Sequence, residues 1–417
     1  MFLLFKHELR KITQKKSVTI AFICLLLCIS LLCTLFASEN FRTDETGTRL
    51  SGPAAISLHK KQAEEQKGYL SAERLSSVLA HYHEILNNPD NYISLGAEGD
   101  SISDEVYGSE IQQYDEILDL MRRAFSPTGT YDYYILSSVN PGDMTRFYDT
   151  RTAKVEEILN LDYSTGNYTP AEKEYFKQLN SKIQTPFYYT YTKGWYDMLT
   201  RGFLTILLMV SFIVCICIAP VFANEYQTGA DSIILSSKYG KNRVISAKIL
   251  SSIVFTTIIY AVAMLLFTAF TLLFHGTSGW NAPFQLISFN SPYPLTIGQV
   301  YLLGLAIAYV VVISIMSITL LFSALMKTSF SVIIIGALYI FVPMFLPSGK
   351  AASFINDTLA LLPAKAMDIF SVFSVYGAYN MFGNITPLPV MIVIFSACIT
   401  ALALPLAYLG FKKHQVA

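Results

Sequence analysis

The chain has 417 residues, of which 53% are hydrophobic and only 14% are charged. An ordinary soluble protein has roughly 25% charged residues, so this composition argues against a soluble globular protein. The formal net charge is zero, so nothing in the composition indicates a nucleic-acid partner. The charges are also unevenly spread, and long windows contain no Asp, Glu, Lys or Arg.

Six of these charge-free windows are long enough to be membrane spans. A helix needs about 20 apolar residues to cross a bilayer core of about 30 Å, and a charge at its centre costs roughly 2.5–3.5 kcal/mol. The windows cover residues 17–37, 203–223, 249–274, 297–321, 330–347 and 389–410. The fifth is the weakest, because it is short and ends with Pro343 and Pro347. The sequence therefore predicts an all-α polytopic membrane protein with six transmembrane helices.

A basic segment precedes the first window, and this pattern also fits a signal peptide. An uncleaved anchor is favoured, because the apolar run has about 20 residues and "CTLFASEN" is a poor cleavage site. We therefore expect residues 1–37 to form a cytoplasmic N-terminal segment followed by the first span.

Lysine and arginine are concentrated at both ends of the chain and between the second and third windows. Cytoplasmic segments carry an excess of these residues, so both termini, segment 222–250 and the turn at Lys327 are predicted to be cytoplasmic. Residues 38–202, 275–296 and 348–388 then lie outside. All six cysteines lie within the windows, and an outer domain without cysteine favours the cytoplasmic membrane of a bacterium.

Residues 38–202 form a candidate extracytoplasmic domain with 25 acidic and 16 basic residues, a net charge of −9. Thr169, Pro170 and Glu172 predict a capping box at the start of a helix. "SLHKKQAEEQKGYLSAERLSSVLAHYHEILNN" predicts either one long helix or two helices broken near Gly68, and "SEIQQYDEILDLMRRAF" predicts a further one. No clear alternating strand pattern occurs, so we expect a mostly helical domain.

The bundle is predicted to occupy residues 203–417 and to carry an outer interfacial segment, residues 348–388. Its part 352–372 is apolar but interrupted by Asp357, Pro363, Lys365 and Asp368, which makes it too polar to cross the membrane. It could lie in the outer interface as an amphipathic helix or re-enter the membrane.

The sequence carries no enzyme signature. It contains no GxxxxGK[ST] phosphate loop, no HExxH and no GxSxG. His81 and His83 are two residues apart and face different directions on a helix, so a solvated face is favoured over a metal site. The spans lack the carboxylates that proton- or sodium-driven carriers keep at mid-membrane. We therefore expect no catalytic residue and no cofactor in this chain, and energy supplied from elsewhere.

Segment 222–250, "FANEYQTGADSIILSSKYGKNRVISAKIL", is a polar insert between two apolar windows. A plain positive-inside loop would account for its basic residues. The order Phe-x-x-Glu at Phe222 and Glu225, Gly229, an apolar "SIILSS", a turn and "AKIL" with Lys248 resembles the permease subunits of ABC-2 type ABC transporters. The resemblance covers most of residues 203–410 and the basic N-terminal segment.

This resemblance implies that the permease has six spans and works as a homodimer or heterodimer. The insert would be the coupling helix that docks on a separate cytoplasmic ATPase, which would bind ATP and Mg²⁺. The residues expected to form this docking loop are Phe222, Glu225, Gly229, Ile233, Ile234, Leu235, Lys238, Lys241, Arg243 and Lys248.

The sequence and this resemblance leave two alternative hypotheses for the function. The first is the permease of an ATP-driven exporter of a hydrophobic or amphipathic cargo, a peptide antibiotic or a lipid. The alternative is a membrane sensor or scaffold that transports nothing and whose outer domain binds a cell-wall precursor or peptide. The large first outer region departs from many members of the family, and it leaves the cargo open.

Overall fold

A computed structural model describes residues 2–94, 100–163, 166–237, 239–346 and 354–414. The chain begins with two helices, α1 (Phe2–Thr13) and α2 (Lys16–Ser38). Helix α1 is amphipathic and buries Glu8 and Ile12. Helix α2 is apolar around its whole circumference, as a helix in lipid is expected to be, and it covers the first predicted window.

The insert that follows α2 is mostly helical but contains short strands. Its elements are β1 (Phe41–Thr43), β2 (Arg49–Ser51), α3 (Gly52–Glu65), β3 (Gly68–Tyr69), α4 (Ala72–Asn87), β4 (Tyr92–Ser94), β5 (Asp100–Ile102), α5 (Asp104–Val106), α6 (Asp115–Phe125), α7 (Phe147–Asn160), α8 (Pro170–Asn180) and β6 (Tyr188–Tyr189). Three antiparallel pairs form, β1 with β2, β3 with β6 and β4 with β5.

Several local predictions are confirmed in this insert. Helices α3 and α4 are separate, and β3 begins at Gly68 between them. The capping box is present: Thr169 Oγ1 accepts from the Glu172 backbone N–H, and Glu172 Oε2 accepts from the Thr169 N–H at 2.7 Å. The strand pairs were not predicted. The strands of the insert are only two or three residues long, too short to show an alternating pattern in the sequence.

The remaining elements form the bundle and its connections. They are α9 (Lys193–Asp197), α10 (Phe203–Ile218), α11 (Pro220–Thr228), α12 (Ala230–Ser236), α13 (Ile245–His275), α14 (Ile297–Leu325), α15 (Ser329–Phe345), α16 (Phe354–Ala360), α17 (Pro363–Ala366), α18 (Ile369–Ser374), β7 (Ala378–Met381), β8 (Asn384–Pro387) and α19 (Leu388–Lys412). Helix α14 is central and packs against α10, α13, α15 and α19.

Within the described residues, five helical stretches are long and apolar enough to cross a membrane: Lys16–Ser38, Lys193–Thr228, Gly240–His275, Ile297–Leu325 and Leu388–Lys412. Helix α15 is apolar but has only 17 residues, and it corresponds to the weakest predicted window. The chain is therefore a mostly helical polytopic membrane protein, as predicted.

The three longer connections that were predicted to share one side of the membrane pack together. Phe289, from the connection between α13 and α14, lies in the main core of the insert. Tyr376 and Ala378 pack with α7 and α8. Arg151 on α7 is buried and donates to the carbonyl oxygens of Phe289 and Ser291, each at 2.9 Å. Residues 347–353 lie outside the described residues; they comprise the end of the fifth predicted window and the start of the predicted outer segment 348–388.

Candidate functional site

The predicted docking loop begins where α10 gives way to α11. Pro220 stands at the first turn of α11 and has no backbone N–H, so the helix ladder is interrupted there. Ser323 on α14 compensates: its Oγ donates to the Ala219 carbonyl at 2.6 Å and accepts from the Phe222 N–H at 2.9 Å. Phe222 itself is fully buried and packs on Phe411 at 4.8 Å between ring centroids.

Gly229 ends α11 and starts α12. Its φ of +66° lies in the left-handed region, where glycine has no steric penalty, and its N–H caps the last turn of α11. The helix axis changes direction at this residue. The positive φ of Gly229 thus explains why glycine occupies this position of the predicted docking loop.

Four charged side chains, two from this loop and two from α1, lie close together. We call them the charge cluster: Glu8, Lys11, Glu225 and Lys248. Lys248 Nζ donates to Glu225 Oε1 at 2.7 Å, to Glu8 Oε2 at 2.9 Å and to the Val221 carbonyl at 3.2 Å. Lys11 Nζ donates to the same Glu225 oxygen at 2.5 Å. The cluster carries two positive and two negative charges.

Three members of the charge cluster, Glu8, Glu225 and Lys248, are buried, whereas Lys11 is exposed. Lys248 is 1% exposed and Glu225 is 2% exposed. A buried ion pair is stable only when further hydrogen bonds satisfy its members, and the Val221 carbonyl and the second pair do so here. The cluster connects α1 to α11 and α13, so Glu225 and Lys248 face the protein interior.

The surface of the loop is formed by α12 and the turn after it. Ile233 is 73% exposed, whereas Ile234 is half-buried and Leu235 is buried. Arg243 lies over the ring of Tyr239, 4.5 Å from its centroid, and Lys241 is exposed. Lys238 lies outside the described residues. Ile233 is thus an exposed aliphatic side chain on the surface of the loop.

The loop is also tied to the C-terminal helix. Tyr408 OH donates to Asn242 Oδ1 at 2.9 Å, and His414 Nε2 lies 3.4 Å from Asp231 Oδ2. Gly240 packs so closely on the Ile234 carbonyl that a Cβ would lie 1.5 Å from its oxygen. The N-terminus, the loop and the C-terminus therefore gather at one end of the bundle, opposite the insert.

The structure thus separates the residues of the predicted docking loop into a buried group and an exposed group. Phe222, Glu225, Leu235 and Lys248 are buried, and Ile233, Lys241 and Arg243 are exposed. Sequence reasoning missed Glu8 and Lys11, the partners on α1. A signal was present, because Glu8 is the only acidic residue among the first 38 and it stands in a basic segment.

Comparison with known proteins gives one informative result. No curated protein and no solved structure matches the chain significantly. A family profile described as "ABC-2 family transporter protein" matches residues 2–416. This multi-pass membrane protein therefore belongs to the ABC-2 transporter family, as a permease of an ABC transporter.

Proposed function

We propose that this permease is driven by a separate cytoplasmic ATPase that docks on segment 222–250 and binds ATP and Mg²⁺. It exports a hydrophobic or amphipathic cargo, a peptide antibiotic or a lipid, across a bacterial cytoplasmic membrane. The observation that carries this proposal is the exposed Ile233 on α12, a short helix that follows the turn at Gly229 and adjoins the charge cluster.

The charge cluster gives the loop a mechanical connection to three helices. A displacement of α12 would be transmitted to α11 through Gly229. Glu225 on α11 is hydrogen-bonded to Lys248 on α13 and to Lys11 on α1. Helix α1 leads directly into α2, and α11 follows α10. A shift of the loop would therefore be transmitted to the first, second and third spans together, which is what coupling to ATP hydrolysis requires.

The proposed topology places residues 1–37 at the cytoplasmic N-terminus and first span, residues 38–202 outside as one domain, and residues 203–417 in the bundle. A second permease, identical or related, completes the transporter. Helices α2 and α19 bury the smallest share of their surface among the long spans, so they offer apolar faces to lipid or to the second subunit.

Replacing Ile233 with Ser tests the docking surface. The permease is co-expressed with a candidate partner ABC ATPase, and the complex is purified through a tag on the permease. We expect Ile233→Ser to lose the ATPase from the complex by about tenfold, because an exposed aliphatic anchor at the centre of an interface is worth roughly 1–2 kcal/mol. ATPase activity stimulated by the permease should fall in parallel.

Ile93→Ser is the matched control, because Ile93 is 46% exposed on a strand of the insert. This variant should retain the ATPase. Equal retention by both variants would show that α12 is not the docking surface. A permease from which no ATPase can be recovered under any condition would favour the sensor hypothesis.

A further inference from the structure

A cavity of about 420 Å³ lies between the insert and the segment that leads into α19. One wall comes from α7, α8 and the chain between them, and the other from α16, α18 and β7. A volume of this size suits a small organic group, since ligand pockets span roughly 300–1,000 Å³. The cavity lies at the end of the bundle opposite the charge cluster, so its ligand is distinct from the proposed ATPase.

Four tyrosines contribute to the walls: Tyr163, Tyr168, Tyr376 and Tyr379. Hydrogen bonds hold three of these rings in place. Tyr163 OH donates to the Ile158 carbonyl at 2.8 Å, Tyr379 OH donates to the Asp357 carbonyl at 2.7 Å, and Tyr376 OH donates to the Asn290 carbonyl. Rings fixed in this way offer preformed faces, and the electron-rich face of a tyrosine attracts cations.

The charges that line the cavity are predominantly negative. Three carboxylates, Glu172, Asp357 and Asp368, stand against one amine, Lys365. Glu172 is occupied in the capping box of α8, and Asp368 caps α18 by accepting from Ser371. Among the described residues, no side chain forms a hydrogen bond or an ion pair with the half-buried carboxylate of Asp357. It is thus the acidic group that a ligand could neutralise.

The environment of Asp357 leaves its charge only weakly stabilised. Burial, together with the negative charge of Glu172, raises the pKa of Asp357 to about 6. A bound cation would offset both effects. An anion would be repelled by three carboxylates, and a neutral ligand would leave Asp357 without a charge partner among the described residues.

We propose that this cavity binds an organic ammonium ion, with Asp357 as the charge partner of the ammonium group and the tyrosine rings as the walls for its apolar body. The group can be a primary amine, which donates hydrogen bonds to the carboxylate, or a quaternary ammonium, which relies on the aromatic faces. This site does not depend on the proposed function, because binding is measured without ATPase and without transport.

Isothermal titration calorimetry of the full-length protein in lipid nanodiscs tests the site. Benzylamine and benzyltrimethylammonium are the two probes, and benzyl alcohol is the neutral control of similar shape. We expect at least one ammonium probe to bind at pH 7.5 and benzyl alcohol to bind about tenfold more weakly or not at all. The stronger of the two probes identifies the kind of ammonium that the site takes.

Asp357→Asn keeps the shape of the side chain and removes its charge, so it should weaken binding of the ammonium probe about tenfold. Asp90→Asn, on the exposed part of the insert, is the matched control and should bind like the native protein. Tyr379→Phe should retain most of the binding, whereas Tyr379→Leu, which removes the ring, should weaken it.

Acidification is the second measurement. Protonation of Asp357 removes the attractive charge, so binding should weaken between pH 7.5 and pH 5 as pH falls through about 6. Other titratable groups line the same cavity: Glu172, Asp368, Lys365, Tyr168 and Tyr379. The Asp357→Asn variant retains all of them, so its binding should depend less on pH if Asp357 is the group that titrates. Equal binding of benzyl alcohol, undiminished binding by Asp357→Asn, or no binding of either ammonium probe would each overturn the proposal.

Discussion

At the scale of single residues, the charge cluster explains why the loop needs particular residue types. Glu225 and Lys248 are only 23 positions apart and could be paired from the sequence, since both flank the loop. Their partners Glu8 and Lys11 lie more than 200 positions away. Nothing local in the sequence specifies such a contact, because it depends on where α1 packs.

Removing one member of the charge cluster should destabilise the protein strongly. Lys248→Met would leave the buried Glu8 without its ion-pair partner and Glu225 with Lys11 alone, and the loss of one partner of a buried pair costs about 3–5 kcal/mol. We expect a clear drop in the melting temperature of the purified protein in detergent. Lys413→Met, at an exposed lysine near the C-terminus, is the matched control and should melt like the native protein.

The double variant Glu8→Gln with Lys248→Met separates charge from packing. It removes one charge of each sign and leaves Glu225 paired with Lys11, so most of the loss should be recovered if the unpaired charge causes the instability. A double variant that melts as low as Lys248→Met would instead show that the lysine matters through its packing.

At the scale of elements, the sequence predicted helices with strong local signals. The capping box at Thr169 and the break near Gly68 are as predicted. The strands β1 to β8 have two to four residues each, and each depends on a partner strand for its hydrogen bonds. Sequence periodicity cannot predict elements of that length, because two to four residues are compatible with any local conformation.

The turn between α11 and α12 allows a prediction at this scale. Gly229→Ala must place a Cβ in the left-handed region, which costs roughly 1–2 kcal/mol, although no neighbouring atom obstructs it. We expect a lower melting temperature and weaker stimulation of the ATPase, because the direction of α12 is no longer fixed.

Gly142→Ala provides the control for that change. Gly142 also has open space around it but lies in a turn of the insert without a positive φ, so alanine should be tolerated there. Gly229→Asn should be milder than Gly229→Ala, since asparagine enters the left-handed region more readily. The same loss of stability at Gly142 and Gly229 would show that the turn conformation is not the cause.

At the scale of the whole molecule, two groups of connections lie at opposite ends of the bundle. One holds the insert and the two other long connections, and the other holds both terminal helices and segment 222–250. The sequence predicted this grouping through the positions of its basic residues. It could not predict how the insert packs on the connection between α13 and α14, because that contact joins segments about 140 positions apart.

Labelling of single cysteines tests the orientation of these two groups. In whole cells, a membrane-impermeant maleimide should modify Glu84→Cys in the insert and leave Lys241→Cys in the loop unmodified. Lys241→Cys should react only after the membrane is permeabilised. The native protein gives the background signal, since its six cysteines lie in spanning helices. Modification of Lys241→Cys in intact cells would reverse the proposed topology.

The hydrogen bonds of the Arg151 guanidinium bear on how the contact between the insert and the bundle responds to acid. Its three hydrogen-bond acceptors are the Phe289 and Ser291 carbonyls and the side-chain amide oxygen of Asn180. Burial lowers the pKa of Arg151 to about 10, so the group stays charged in neutral and acidic surroundings, and none of its acceptors can be protonated there. The joint between the insert and the bundle should therefore keep its charge and its hydrogen bonds when the surrounding pH falls.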